Sequence, residues 1–323
     1  MRWIGRELLW SVVALLVLAL SGAIYQAIAT ERAERAYPPP GEMVDVGGYS
    51  LHIDCAGRGE PTVVLDAGAG EMSADWVLVQ REVSGTTRVC AYDRAGTGWS
   101  ESGPEPRDAK RISAELHDLL SKAGIGGPYV LVGHSFGGLY AQTYAARYAE
   151  EVAGVCLVES SSPEQFGHRP VARDIYEPQR FAVSSLLARL GIVRLLYKLF
   201  PAPPDLPPQQ RAQIDALGPS TRQVSTTALE LRAGPQSATQ ARRLRSLGDK
   251  PLAVVSAGTQ EPEWLELQDG LATLSSNSVH RVVEGATHTS VLHDQGDSRA
   301  TSAAILGVVE AVRNDRSLAR QKP

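Results

Sequence analysis

Between a short apolar run, Tyr129 to Val132, and a helix-forming stretch, Leu139 to Tyr148, the chain carries Gly133-His134-Ser135-Phe136-Gly137. No other segment limits the possible folds as much. A serine entered from a strand and left by a helix sits at a sharp turn in a strained backbone conformation. Side chains two positions away on either side would strike the neighbouring strand or helix, which is why both places are glycine. Gly138 removes one more obstacle. At such a turn the Ser135 hydroxyl faces the positive end of the following helix, where developing negative charge is stabilised. The five-residue pattern alone arises by chance in a chain this rich in glycine and serine. The strand before it and the helix after it give it weight.

Around this turn, short apolar runs alternate with longer amphipathic segments. Strands are expected at Met43 to Val46, Tyr49 to Cys55, Thr62 to Leu65, Arg88 to Tyr92, Tyr129 to Val132, Val155 to Val158, Leu252 to Ser256 and Val279 to Val283. Helices are expected at Trp76 to Val83, Ala109 to Lys122, Leu139 to Tyr148, Trp264 to Leu274 and Ser298 to Arg313. Gly47-Gly48 reads as a hairpin turn, and the later alternation reads as parallel strands with crossover helices. One stretch breaks the rhythm. From Pro163 to Leu247 no strand pattern occurs, prolines cluster, and pieces such as Phe181 to Phe200 are apolar around much of their circumference. A helical insertion over the sheet accounts for this better than an independent domain. With 323 residues, 43% of them hydrophobic, the chain can bury a large single core.

The N-terminus carries a second strong signal, because no charged side chain occurs from Leu8 to Ala29. As a helix this run spans roughly 33 Å, enough to cross a ~30 Å hydrocarbon layer. Trp10 and Tyr25 lie near its two edges, as interface-seeking aromatics do. Arg2 and Arg6 precede it, whereas Glu31, Arg32, Glu34 and Arg35 balance one another after it. The positive-inside rule therefore puts the short tail in the cytoplasm and the large domain outside. The alternative is a cleaved secretory signal ending at Ala27-Ile28-Ala29, although the run exceeds the ~7–15 residues of a usual signal core. Both readings export the domain. Residues 1–30 are thus a membrane anchor or signal peptide, and 31–42 a linker stiffened by Tyr37-Pro38-Pro39-Pro40.

Lys plus Arg number 32 against 36 Asp plus Glu, a net charge of −4, and no basic stripe with interleaved aromatics occurs. Nucleic acid is not an expected partner. The three cysteines, Cys55, Cys90 and Cys156, lack a metal-ligand spacing, so no metal is expected. Cys156 reads as a small buried hydrophobe.

Four segments together resemble successive motifs of the α/β-hydrolase superfamily: Thr62 to Trp76 (TVVLDAGAGEMSADW), Arg88 to Ser100 (RVCAYDRAGTGWS), Tyr129 to Leu139 (YVLVGHSFGGL) and Gly285 to His288 (GATH). The resemblance implies an α/β fold with a mostly parallel eight-stranded sheet flanked by helices and a helical cap after the sixth strand. The core would be residues 43–162 and 248–316, the cap 163–247, and 317–323 a tail. The superfamily's strand order also sets the second strand beside the fourth. Cys55 and Cys90 would then be neighbours, as a disulfide or as two unlinked buried thiols.

A serine hydroxyl needs an imidazole to accept its proton and a carboxylate to hold that imidazole. The chain order serine, acid, histidine fits the superfamily. His288 is the expected base, since it follows the last strand where the superfamily keeps its histidine, and His293 is the fallback. His52, His117, His168 and His280 are assigned ordinary structural roles. Glu261, three residues beyond Gly258 after the seventh strand, is the expected acid, although the family more often has aspartate there. Glu159, directly after the sixth strand, is the alternative. The oxyanion would be met by the backbone N–H groups of Phe136 and, from the loop Asp66-Ala67-Gly68-Ala69-Gly70, of Ala69. Trp76 and Trp99 are candidate pocket walls, and Asp93 and Arg94 a structural network. The expected activity is hydrolysis of a small-molecule carboxylic ester or amide through an acyl-serine, with no dissociable cofactor. A peptidase resembling proline iminopeptidases, or a non-catalytic binding or sensing protein on the same scaffold, are the alternatives.

Overall fold

The computed structural model describes residues 2–166, 178–200, 202–203 and 205–318. His168 and the end of the tail expected at 317–323 lie partly or wholly outside these. The chain opens with α1 (Arg2–Ala36) and then builds one eight-stranded sheet. Its strands are β1 (Glu42–Asp45), β2 (Ser50–Ala56), β3 (Thr62–Asp66), β4 (Val89–Tyr92), β5 (Tyr129–His134), β6 (Val152–Val158), β7 (Leu252–Ala257) and β8 (Ser278–Val283). All eight expected strands form, in the order β1-β2-β4-β3-β5-β6-β7-β8. β2 runs antiparallel to β1 and β4, and every pairing from β4 to β8 is parallel. Cys55 faces Cys90 in register and the two are joined by a disulfide. Cys156 is free and buried.

Strands buried on both faces need no apolar–polar alternation, and β3, β5 and β6 accordingly read as continuous apolar runs. Val63 and Leu65 point into one core layer and Val64 into the other, all three buried. The first layer is closed by α2 (Val77–Val83) and α12 (Asp297–Asn314), through Val79, Val83, Ile305 and Val308. The second is closed by α3 (Ala109–Lys122), α4 (Gly137–Arg147) and α10 (Pro262–Ala272). Helix α3 shows how local sequence sets an element. Asp108 caps it by accepting the Arg111 N–H, and Ile112, Leu116, Leu119 and Leu120 form its buried stripe.

Between β6 and β7 lie α5 (Pro178–Arg189), α6 (Ile192–Leu199), α7 (Pro208–Leu217), α8 (Thr221–Arg232) and α9 (Gly234–Ala241). The helical piece expected over Phe181 to Phe200 is two helices, because Gly191 adopts φ +72° and turns the chain between them. The short helix α11 (Ser290–His293) follows β8. Elbow, acid and histidine segments all leave the carboxyl ends of parallel strands, the edge where open α/β sheets place their sites.

Candidate active site

Ser135 joins β5 to α4 with φ +50°, a left-handed conformation that a non-glycine residue adopts at some cost. Its N–H donates to the Val158 carbonyl at 3.2 Å, and its carbonyl accepts from Gly138 and Ser161. The flanking glycines are required by contact. A Cβ at Gly133 would stand 2.5 Å from the Gly137 carbonyl oxygen, and one at Gly137 would stand 2.3 Å from that of Asp66.

His288 lies on the loop after β8, which Thr259 holds by donating both its N–H and its hydroxyl to the Ala286 carbonyl. The carboxylate that meets it is Glu159. Oε2 of Glu159 is 3.0 Å from Nδ1 of His288, and Glu159 is fully buried while the His288 side chain is 39% exposed. This corrects the expectation for Glu261, which stands exposed at the N-cap position of α10 without a side-chain capping bond and makes no hydrogen bond or ion pair with His288 among the described residues. Pro262 begins α10 immediately after it. The Glu261 neighbourhood instead supplies donors to Glu159: the Ala257 N–H at 2.7 Å, Gln260 Nε2 at 2.6 Å and Trp264 Nε1 at 3.2 Å. Burial raises the Glu159 carboxyl, but His288 and these donors outweigh it and hold it below the ordinary carboxylate range. No described protein group engages Nε2 of His288.

A second glutamate–histidine pair lies on the other side of the elbow. His134, directly before Ser135, has Nδ1 2.8 Å from Glu71 Oε2 and Nε2 2.9 Å from the His288 carbonyl oxygen. A carbonyl only accepts, so Nε2 of His134 carries a proton, and an ionised Glu71 then requires one on Nδ1 as well. Burial lowers the imidazole's affinity for its second proton, but Glu71 more than restores it and the net displacement is upward. Glu71, pulled up by burial and down by His134, ends well below its ordinary value. Glu71 Oε2 also accepts the Gly68 N–H at 2.6 Å. One carboxylate thus ties the expected oxyanion loop to the elbow, and His134 ties the elbow to the backbone of His288. The sequence reading missed this pair, although His134 stood inside the motif itself.

In that loop Ala69 is half-buried, and among the described residues no protein acceptor meets its N–H. Behind it, Arg94 donates to Asp66 at 2.8 Å, to the Ala67 and Gly68 carbonyls, and to Glu230 of α8 at 2.8 and 2.9 Å. Burial lifts the Asp66 carboxyl to about 6 despite Arg94 and the Tyr92 hydroxyl. Asp93 accepts from the Ser73 and Trp99 N–H groups and faces His52 at 2.9 Å, the structural network expected there.

Three further expectations meet the structure differently. Trp76 is wholly buried between the sheet and α2, edge-on to His134, so it is core rather than cavity wall. Trp99 stacks at an angle on His52 and donates to the Tyr37 carbonyl, fastening the linker to the sheet. His293, the fallback base, is buried in α11 with Nε2 3.0 Å from Asp75.

The model of the Alpha/beta hydrolase family matches residues 63–301. An uncharacterized protein of Schizosaccharomyces pombe is 28% identical over 81% of this chain, which spans about half (54%) of that relative's length. Among solved structures, a thermophilic esterase from Thermogutta terrifontis superposes with a TM-score of 0.65 at 21% identity, covering 84% of this chain and 98% of its own. The enol-lactonase from Burkholderia xenovorans LB400 gives a TM-score of 0.61 at 18% identity, covering 83% and 100%. At these identities the structural likeness speaks for the fold, whereas the family match spans well over half the chain: it belongs to the alpha/beta hydrolase family.

Proposed function

We propose that the chain is a serine hydrolase that cleaves a carboxylic ester or amide through an acyl-serine. Ser135 Oγ attacks the carbonyl carbon as His288 Nε2 takes its proton. The resulting oxyanion is received by the N–H groups of Ala69 and Phe136. Glu159, not Glu261, holds His288 with a proton on Nδ1 and stabilises the imidazolium formed during attack. His288 returns the proton to the leaving group, and a water then repeats the sequence to release the acid. The observation that carries this reading is the buried Glu159 bonded to Nδ1 of a histidine whose Nε2 is unengaged and whose loop is pinned to the elbow. A serine at the elbow favours acyl transfer over the alkyl-enzyme chemistry of an aspartate nucleophile.

The same reading takes α1 as a retained anchor with the catalytic domain outside the cytoplasm. The helix is long and apolar enough to cross a membrane, and little of it is buried. The substrate is a small molecule.

A fluorophosphonate probe tests the chemistry, because it loses fluoride to an activated serine and leaves a stable phosphonyl ester. Labelling of the native protein and none of Ser135→Ala is the expected result. A folded native protein that stays unlabelled at pH 8 would overturn the proposal in favour of a binding role.

A further inference from the structure

Helix α6 has two apolar sides with different surroundings. Ile192, Leu195, Leu196, Leu199 and Phe200 follow the i, i+3, i+4, i+7, i+8 spacing of a single stripe, and all are exposed, Leu199 and Phe200 by 71% and 76%. Val183 and Leu186 of α5 are exposed too. The inner residues Val193 and Tyr197 instead line a cavity of about 450 Å³, together with Ser184, Thr227, Leu231 and Gly70 of the oxyanion loop. An amphipathic helix with its apolar stripe in water is unstable unless something covers it.

The structure indicates what covers it, because α6 is fastened to α1. Gly22 of α1 is so close to the turn before α6 that a Cβ there would stand 2.4 Å from the Leu190 carbonyl oxygen. Gly191 meets the Tyr25 ring. Arg194, buried on the protein side of α6, donates to Gln26 of α1 at 3.0 Å, to Thr30 at 3.2 Å and to the Ala216 carbonyl. Gly22 lies roughly 10 Å along the helix axis before Ala29, still within the uncharged run. Anything packed on Gly22 and Tyr25 therefore lies roughly 6–10 Å inside the outer end of that run, the depth to which an interfacial helix buries its apolar face. Lys198, over the Tyr25 ring at 5.8 Å, stands where a long basic side chain reaches from an apolar layer to lipid headgroups.

We propose that the outer stripe of α6, with Val183 and Leu186, lies in the headgroup–acyl boundary of the membrane, and that the cavity behind α6 receives an ester or amide with a long apolar chain from the lipid phase. The route, though not the docking, rests on the hydrolase reading above.

The test uses the full chain in phosphatidylcholine vesicles. Leu199→Cys takes an environment-sensitive fluorophore at that site, since Cys55 and Cys90 are joined and Cys156 is buried. Docking predicts blue-shifted emission, quenched at least twofold by lipids spin-labelled high on the acyl chain. Water-like, unquenched emission at position 199 overturns the docking, provided a label at Leu16→Cys in α1 is quenched. A label shielded from water yet not quenched by lipid overturns it too, in favour of a second protein surface. For the route, Leu195→Glu/Leu199→Glu is expected to lose tenfold or more of the turnover of a long-chain ester embedded in vesicles, relative to its turnover of a water-soluble short-chain ester. Equal loss on both substrates, or none on either, overturns the route. Absence of fluorophosphonate labelling in the unaltered protein would instead count against the hydrolase reading and leave the quenching result standing.

Discussion

The two glutamate–histidine pairs beside Ser135 are alike in composition and spacing, 3.0 Å for Glu159–His288 and 2.8 Å for Glu71–His134, yet among the described residues only one leaves a ring nitrogen unengaged. His134 is wholly buried with both ring nitrogens committed, one to a carboxylate and one to a carbonyl. His288 is partly exposed and keeps Nε2 unengaged among the described residues. The difference teaches that a buried carboxylate beside an imidazole is as much a structural clamp as a catalytic pair. The spare nitrogen and the partial exposure of His288 separate them.

Breaking the pairs one at a time sharpens this contrast. Ser135→Ala and His288→Ala are expected to reduce ester turnover by ~10⁴-fold or more in stopped assays, with the fold kept by circular dichroism. Glu159→Gln should cost roughly 10²–10⁴-fold in kcat, because the amide neither fixes the Nδ1 proton nor balances the imidazolium. His134→Gln acts on the other side of the comparison. It should lower unfolding free energy by about 3–5 kcal/mol in urea titrations, by leaving Glu71 buried and unpaired, and reduce the kcat of the folded fraction by only ~tenfold. Glu261→Gln should leave kcat within about twofold, and a loss as large as that of Glu159→Gln would reverse the assignment of the acid.

Acidity gives a finer test of the clamp. His134 titrates above its unfolded value, so its contribution is full below the ordinary histidine range near ~6.5 and is lost as pH rises through its folded pKa. Glu71 titrates below its unfolded value, so its contribution is full above the ordinary carboxylate range near ~4.3 and is lost as pH falls through its folded pKa. The stability gap between the native chain and His134→Gln should therefore be widest at about pH 5–6 and narrow on either side. A gap independent of pH would show that the pairing displaces neither group's titration.

The sheet and the elbow were readable because they rest on local rules: apolar runs of strand length, glycines where Cβ atoms collide, and a helix start after the serine. The carboxylate that meets His288 was not, because it depends on which of two segments at neighbouring strand ends reaches the histidine in the fold. Glu159 reaches His288 from a left-handed backbone position, φ +44°, which its neighbours in the sequence do not announce. Glu261 had the expected distance from a glycine, but Pro262 starts a helix there and leaves it in solvent. Glu71 and His134 escaped notice for a related reason, since the loop that carries Glu71 meets His134 only in the folded state. Trp76 and Trp99 were misread because aromatic residues near a motif fill a core as readily as a cavity.

Arg94 grips Glu230 of α8 with one edge of its guanidinium and the oxyanion loop with the other. Lifting α8 would strand charge in an apolar setting at about 3–5 kcal/mol, holding such a state to roughly one molecule in 150 or fewer. The insertion is thus bolted along one side. The guanidinium that bolts it also holds the Ala67 and Gly68 carbonyls, so the loop proposed to receive the oxyanion and the insertion above it share one anchor.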